Sequence, residues 1–85
     1  MCRSNKKDDL KLLENNGVLS IVLCSTDGSC NIPSTKVGKS FQSVYDALRR
    51  LGGRGNVTKN NDTIHVEREA RVGVYSAAKT AGYEV

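Results

Sequence analysis

The sequence is poor in the residues that build large cores and cofactor pockets. It has no tryptophan, one phenylalanine, one proline and one histidine in 85 residues. A chain of this length forms one small domain, residues 1–85, which buries about 60% of its surface and has little room for a deep catalytic cleft. The longest apolar run, residues 18–24, is far shorter than the ~20 residues of a membrane span. We therefore expect a soluble domain with no membrane partner.

Cysteine and histidine are too few to indicate a metal site or a disulfide framework. Cys2, Cys24 and Cys30 are an odd number, and the step from Cys24 to Cys30 is too long for a zinc knuckle. The charged N-terminus is not followed by the apolar stretch of a secretory signal. We expect reduced thiols, no metal, no cofactor, a cytoplasmic location and a flexible segment at residues 1–5.

No catalytic motif is anchored in the sequence. The lone histidine, His65, has no serine, cysteine or paired carboxylate at a recognisable spacing. The glycine-rich stretch 52–55 follows a predicted helix, whereas a phosphate-binding loop precedes one and uses its positive end. The sequence therefore predicts a protein that is not an enzyme.

Positive charge is concentrated in the middle of the chain. Residues 36–59, the basic segment, contain six lysines and arginines against one acidic residue, whereas the parts before and after it are neutral or slightly acidic. The net charge of +4 thus comes from this segment. Such a concentration attracts a polyanion such as nucleic acid. Composition alone equally allows a solvated surface that only keeps the protein soluble.

Hydrophobic periodicity and turn residues predict the order of the elements. An apolar, β-branched run predicts a strand, and spacings of three and four predict helices. Residues 25–39 are long for a plain connector, so we expect a short element inside them. The predicted elements are helix 6–15, strand 18–24, a short helix at about 32–37, helix 41–51, strands 56–59 and 62–67, helix 70–81 and the start of a strand at 83–85.

The helix over 41–51 and the hairpin after it have the clearest patterns. Phe41, Val44, Leu48 and Leu51 fall on one helical face, Ser40 precedes them as a candidate N-cap, and two glycines follow. In the hairpin, the pair of asparagines at 60–61 tolerates the positive φ of a tight turn. Helix 70–81 has a face of small residues that would permit a close contact between two copies.

Part of this pattern is similar to a known DNA-binding family. A turn glycine, a serine before a helix, the spacing V-x-x-x-L-x-x-L and a basic-Gly-x-Val step occur in that order. The residues are Gly38, Ser40, Val44, Leu48, Leu51, Arg54, Gly55 and Val57. Residues 30–67 thereby resemble the second half of a winged helix-turn-helix domain. The resemblance implies an α+β fold of order α-β-α-α-β-β-α.

The same elements also fit a second architecture. Without the short helix, and with residues 83–85 as a strand, they form a ferredoxin-like β-α-β-β-α-β sandwich with an extra N-terminal helix. The similarity between residues 44–52 and 74–82 suits the internal symmetry of that fold, which would make Phe41 a core residue. The long segment 25–39 is unexplained there.

The winged-helix resemblance implies binding of duplex DNA through a recognition helix, 41–51, and a hairpin wing, 56–67, as in a transcriptional regulator. Gln42, Ser43 and Asp46 would face the major groove, where Gln42 could make a bidentate contact to adenine. Basic side chains would bind phosphates, and the hairpin turn would form the wing tip. The candidate contact residues are Lys36, Lys39, Gln42, Ser43, Asp46, Arg49, Arg50, Arg54, Lys59 and Asn60.

Other partners are open at this stage. RNA could bind residues 36–60 through the same charges. A different class of function is a small protein-binding regulator or inhibitor, of the phage or mobile-element type, with no nucleic-acid role. A homodimer could form through helix 70–81, or the small-residue face of that helix could cover its own sheet. The salt dependence of binding separates a nucleic-acid partner from a protein partner.

Overall fold

The computed structural model describes residues 6–26 and 28–85, and these form four α-helices and a three-stranded antiparallel sheet. The predicted α+β class is confirmed, whereas the expectation for residues 1–5 lies outside the described residues. The elements are α1 (Lys6–Asn15), α2 (Val18–Cys24), β1 (Cys30–Pro33), α3 (Phe41–Gly52), β2 (Val57–Asn60), β3 (Thr63–Val66) and α4 (Arg68–Thr80). Of these helices, none is long and apolar enough to cross a membrane.

Helix α2 occupies the run that was predicted as a strand, so that prediction is wrong. Gly17, with φ of +74°, turns the chain between α1 and α2. Val18 and Val22 are buried while Ser20 is exposed, which is the spacing of a helix, since an alternating strand would bury Ser20 beside them. A short apolar run does not discriminate between a buried helix and a strand by its pattern.

The change at α2 also excludes the ferredoxin-like alternative. Three strands form in the described residues, in the order β1-β3-β2, and residues 83–85 are not a strand. The predicted order α-β-α-α-β-β-α is corrected to α-α-β-α-β-β-α, with 3₁₀ turns between β1 and α3. Strand β1 forms one edge of the sheet, and the sequence did not predict it as a strand.

The segment 25–39 does contain short elements, but they differ from the predicted helix at 32–37. It holds β1 and then two 3₁₀ turns, Ser34–Lys36 and Gly38–Ser40. Pro33 has an extended conformation, φ −72° and ψ 152°, and it ends an edge strand of the sheet. An edge strand tolerates proline because a missing N–H there breaks no central ladder.

One face of the sheet and the inner faces of the helices form the core. The central strand β3 pairs Ile64 with Ile32 of β1, and Val66 with Val57 of β2. All four side chains are at most 1% exposed. The helices cover them with further buried side chains, namely Leu10, Leu13, Val18, Val22, Val44, Ala47, Leu48, Ala70, Val74 and Ala78.

The predicted helix and hairpin of the basic segment are both confirmed. α3 runs one residue beyond the predicted end, and its side chains Val44 and Leu48 are fully buried. The hairpin turn lies at Asn61 and Asp62, one residue later than predicted, and Asn61 has the positive φ, +57°. Asparagine adopts this left-handed conformation more readily than most residues.

The start of α3 differs from the predicted capping. Ser40 precedes the helix, but its side chain makes no capping hydrogen bond. The 3₁₀ turn Gly38–Ser40 continues directly into α3, and the Phe41 N–H donates to the Gly38 carbonyl. The backbone of that turn therefore accepts a hydrogen bond from an N–H group at the start of the helix, as a capping serine side chain does elsewhere.

Helices α3 and α4 cross where both contain glycine. A Cβ on Gly73 would lie 2.6 Å from the carbonyl oxygen of Leu51, and one on Gly52 would lie 2.6 Å from Cβ of Ala70. The small-residue face of α4 is thus buried within the chain, where it packs on α3 and α2. α4 begins two residues before the predicted helix and ends at Thr80.

Candidate nucleic-acid interface

The outer face of α3 follows from its helical period. Val44 and Leu48 point into the core, so Gln42, Asp46 and Arg49 lie on the opposite side. This half of the helix has one acidic side chain among polar and basic ones. It is therefore the face that α3 offers to a partner.

A chain of hydrogen bonds joins the hairpin to this face. Lys59 Nζ donates to Gln42 Oε1 at 2.7 Å, and Gln42 Nε2 donates to Asp46 Oδ1 at 3.2 Å. A lysine ammonium only donates and an ionised carboxylate only accepts, so the two neighbours fix which way the Gln42 amide points. One lone pair of Oε1 and one N–H of Nε2 remain for a ligand.

Two aromatic rings lie beside the same cations. Lys59 Nζ is 5.4 Å from the ring centre of Tyr45 and 6.0 Å from that of Phe41. The Arg49 guanidinium is 5.3 Å from the Tyr45 ring centre, within the range of cation–π attraction. Phe41 is half-buried against the core. The two rings belong to α3, and they attract the Lys59 side chain of β2 to the side of this helix that bears Arg49.

Arg50 projects to another side of α3, where it binds Asp9 of α1. Its Nη2 donates to Asp9 Oδ1 at 2.7 Å and its Nε donates to Asp9 Oδ2 at 3.1 Å. The Asp9 side chain is 8% exposed and that of Arg50 is 44% exposed. The hydrogen bond with Asp9 raises the pKa of Arg50 further above its usual range. A phosphate would therefore compete with a buried carboxylate for Arg50.

The C-terminal part of α3 and the turn after it form a shallow depression. Its volume is about 200 Å³, and it is lined by Asp46, Arg49, Arg50 and Arg54. Nε of Arg49 is buried and has no hydrogen-bond partner among the described residues. Asp46 belongs both to this depression and to the hydrogen-bond chain through Gln42. The surface is therefore continuous from the hairpin to the end of α3.

Six of the ten predicted contact residues meet on this surface, which we call the α3 surface: Gln42, Asp46, Arg49, Arg50, Arg54 and Lys59. The other four are its neighbours in the chain. Lys36 and Lys39 are exposed on the two 3₁₀ turns before α3, Ser43 is exposed in its first turn, and Asn60 is exposed at the end of β2.

Two residues that contact the α3 surface, Tyr45 and Asp9, were not predicted from the sequence. Tyr45 is four residues from both Phe41 and Arg49, so the helical period was a signal that could have found it. Asp9 lies 41 residues from Arg50 in the chain, and no local pattern connects them. Only the packing of α1 on α3 brings that pair together.

His65, Cys24 and Cys30 are further side chains that could take part in chemistry. His65 contacts Asn31 Oδ1 at 2.7 Å through Nδ1 and Glu67 Oε2 at 3.0 Å through Nε2, on the outer side of the sheet. Cys24 and Cys30 are free, and burial raises the pKa of the Cys30 thiol against the opposing effect of Arg71. Within residues 6–26 and 28–85, no three His, Cys, Asp or Glu side chains are grouped to hold a metal ion.

Comparison of the chain with protein-family models, with curated proteins and with solved structures finds no match. The function is therefore argued from the geometry and charge of the α3 surface.

Proposed function

We propose that this protein is a small cytoplasmic nucleic-acid-binding protein that contacts duplex DNA with the α3 surface. The observation that supports this function is the hydrogen bond from Lys59 to Gln42, which joins the hairpin to the outer face of a basic helix. A helix with an adjoining two-stranded ribbon presents the elements that enter or flank a major groove. The six lysines and arginines of residues 36–59 would supply the attraction to phosphates.

The order of elements around α3 supports a winged-helix arrangement for this contact. The 3₁₀ turns before α3 would take the place of the helix that precedes a recognition helix. The β2–β3 hairpin directly after α3 would be the wing, and β1 completes its sheet. In this proposal α3 is the recognition helix. A transcriptional regulator is the kind of protein that such a contact would serve.

The roles of individual residues follow from their surroundings. Gln42 would read an adenine edge with the lone pair and N–H that Lys59 and Asp46 leave free. Arg49 and Arg54 would bind phosphates, because no described carboxylate holds either of them in an ion pair. Lys36, Lys39, Ser43 and Asn60 would add contacts at the edges of the interface. Arg50 would contribute less, because Asp9 already holds it.

The test is fluorescence anisotropy of a labelled random duplex, titrated with the protein at two salt concentrations. If about four phosphates are neutralised, raising the salt from about 50 to about 200 mM weakens binding roughly 100-fold. Changing Arg49 and Arg54 together to glutamine lowers the log–log salt slope by about two. The matched control changes Lys11 and Lys79, exposed on α1 and α4, to glutamine, which removes equal charge and leaves the slope nearly intact.

Two results would contradict this function. Absence of duplex binding at the lower salt concentration would leave the α3 surface without a nucleic-acid role and would favour a protein-binding regulator. Equal losses in the Arg49/Arg54 variant and in the Lys11/Lys79 control would show that net charge, rather than the α3 surface, attracts DNA. Tighter binding to single-stranded RNA than to the duplex would overturn the choice of DNA.

A further inference from the structure

The exposed large apolar side chains of the described residues lie on α4 and at the C-terminus. They are Val72, Tyr75 and Val85, with 64%, 40% and 42% of their surface exposed. By helical spacing, Tyr75 is on the opposite side of α4 from Gly73, which contacts α3. This apolar patch is therefore separate from the α3 surface. Apolar patches that remain exposed in small proteins often mark an interaction site.

Tyr75 stands between two depressions on this side of the molecule. One has a volume of about 470 Å³ between α2, α4 and the C-terminal residues, with apolar lining from Leu19, Leu23, Tyr83 and Val85. The other has a volume of about 330 Å³ and is lined by Val72 and the start of α4. Together they form an apolar groove along α2 and α4, which we call the α4 groove.

The two ends of the α4 groove have opposite charges. Glu14 and Glu84 line the end near the C-terminus, whereas Arg68 and Arg71 line the end at the start of α4. Tyr75 belongs to both depressions. A surface with a positive end, a negative end and an apolar centre is complementary to itself when it is rotated by a half turn about that centre.

We propose that the α4 groove is the contact between two copies of this chain, related by a two-fold axis close to Tyr75. In that arrangement Arg68 and Arg71 of each copy approach Glu14 and Glu84 of the other, while the Tyr75 side chains pack together at the centre. Opposite charges at both ends favour the antiparallel pairing of the α4 helices and disfavour the parallel one.

This contact differs from the one that the small-residue face of α4 suggested. Ala70, Ala77 and Ala78 are buried inside the chain, so that face is occupied by α1 to α3. The proposal does not rest on nucleic-acid binding. If both hold, the dimer presents two copies of the α3 surface to a two-fold-related DNA site.

The test is sedimentation equilibrium of the full chain without nucleic acid, across micromolar to submillimolar concentrations and with a reductant that prevents Cys24 from forming intermolecular disulfides. We expect a reversible change from 9.2 kDa to twice that mass. Tyr75→Glu and Arg71→Glu each weaken association at least about tenfold. The first places charge at the apolar centre, and the second places a negative charge opposite the negative end of the other copy. Circular dichroism checks that each variant is folded.

A charge exchange separates a specific contact from a general loss of stability. Arg71→Glu combined with Glu84→Arg restores association, because the negative charge at position 71 of each copy then approaches a positive charge at position 84 of the other. Lys6→Glu, with the same change of charge at the start of α1 and outside both depressions, leaves association unchanged. A protein that stays at 9.2 kDa throughout, or a charge exchange that associates no better than Arg71→Glu alone, would overturn the proposal.

Discussion

The guanidinium of Arg50 holds both carboxylate oxygens of Asp9, at 2.7 and 3.1 Å, and so ties α3 to α1 across 41 residues of chain. The pair agrees with the rotation that the buried side chains Val44 and Leu48 give α3 on the core. With Arg50 directed towards α1, the side of the helix that bears Gln42, Asp46 and Arg49 is left open. The contact therefore stabilises the arrangement in which that side faces away from the core.

The two residues of this ion pair differ in burial. We therefore expect their replacement to lower the free energy of unfolding by unequal amounts. Arg50→Gln leaves the buried Asp9 carboxylate without its partner and lowers the free energy of unfolding by about 1–3 kcal/mol. Asp9→Asn leaves a half-exposed arginine that water can solvate, so this change lowers the free energy of unfolding by about 1 kcal/mol or less. Urea denaturation of both variants measures the difference. Equal, negligible losses would show that the pair contributes nothing to stability.

At Gly73, where α3 and α4 cross, packing and helix propensity predict opposite effects of an alanine substitution on stability. In an isolated helix, alanine is favoured over glycine by about 1 kcal/mol. Gly73→Ala is nevertheless expected to lower the free energy of unfolding by about 1–3 kcal/mol, because its Cβ would lie 2.6 Å from the Leu51 carbonyl oxygen. The control is Gly55→Ala, where no atom lies within 4 Å of the new Cβ. A more stable Gly73→Ala variant in thermal unfolding would show that the helices separate easily.

The contact between Lys59 and Gln42 predicts a coupled effect on sequence discrimination, if the protein binds duplex DNA. Once a preferred site is selected, Gln42→Ala should reduce discrimination of its adenine by about 1–3 kcal/mol. Lys59→Met should lose much of the same discrimination, because the amide is no longer oriented, whereas Lys59→Arg keeps a donor and preserves it. The measurement is a double-mutant cycle of Gln42 and Lys59 on matched and substituted duplexes.

The outcome of that cycle distinguishes two roles for Lys59. If Lys59 positions the Gln42 amide, the losses of discrimination caused by Gln42→Ala and Lys59→Met are not additive. If Lys59→Met instead weakens binding to every duplex by one factor and leaves the discrimination ratio intact, Lys59 is only a phosphate contact.

The elements that could be predicted from the sequence are those whose cause is local. The face formed by Phe41, Val44, Leu48 and Leu51 has a helical period over three turns, and two glycines end it, so α3 was found within one residue. The asparagines before β3 marked the hairpin because they tolerate a positive φ. The concentration of positive charge in residues 36–59 is likewise local, and the binding of a polyanion there stays a prediction.

The run at 18–24 was wrongly predicted as a strand because its pattern is compatible with a helix as well as with a strand. Its seven residues, six of them apolar, show no clear alternation and no full second helical turn, so tertiary packing against α1 and α4 decides the conformation. Strand β1 escaped for a similar reason: four residues, including a proline, give almost no signal until β3 pairs with them.

The sequence by itself thus determined the α+β class, the amphipathic helix α3, the hairpin and the concentration of positive charge, since each depends on residues close together in the chain. Tertiary structure alone decided that Arg50 binds Asp9, that Lys59 and Asp46 orient Gln42, and that Tyr75 is left exposed between two charged ends. Most of these relationships join residues that lie on different elements. Packing brings those elements together, and no local pattern connects them.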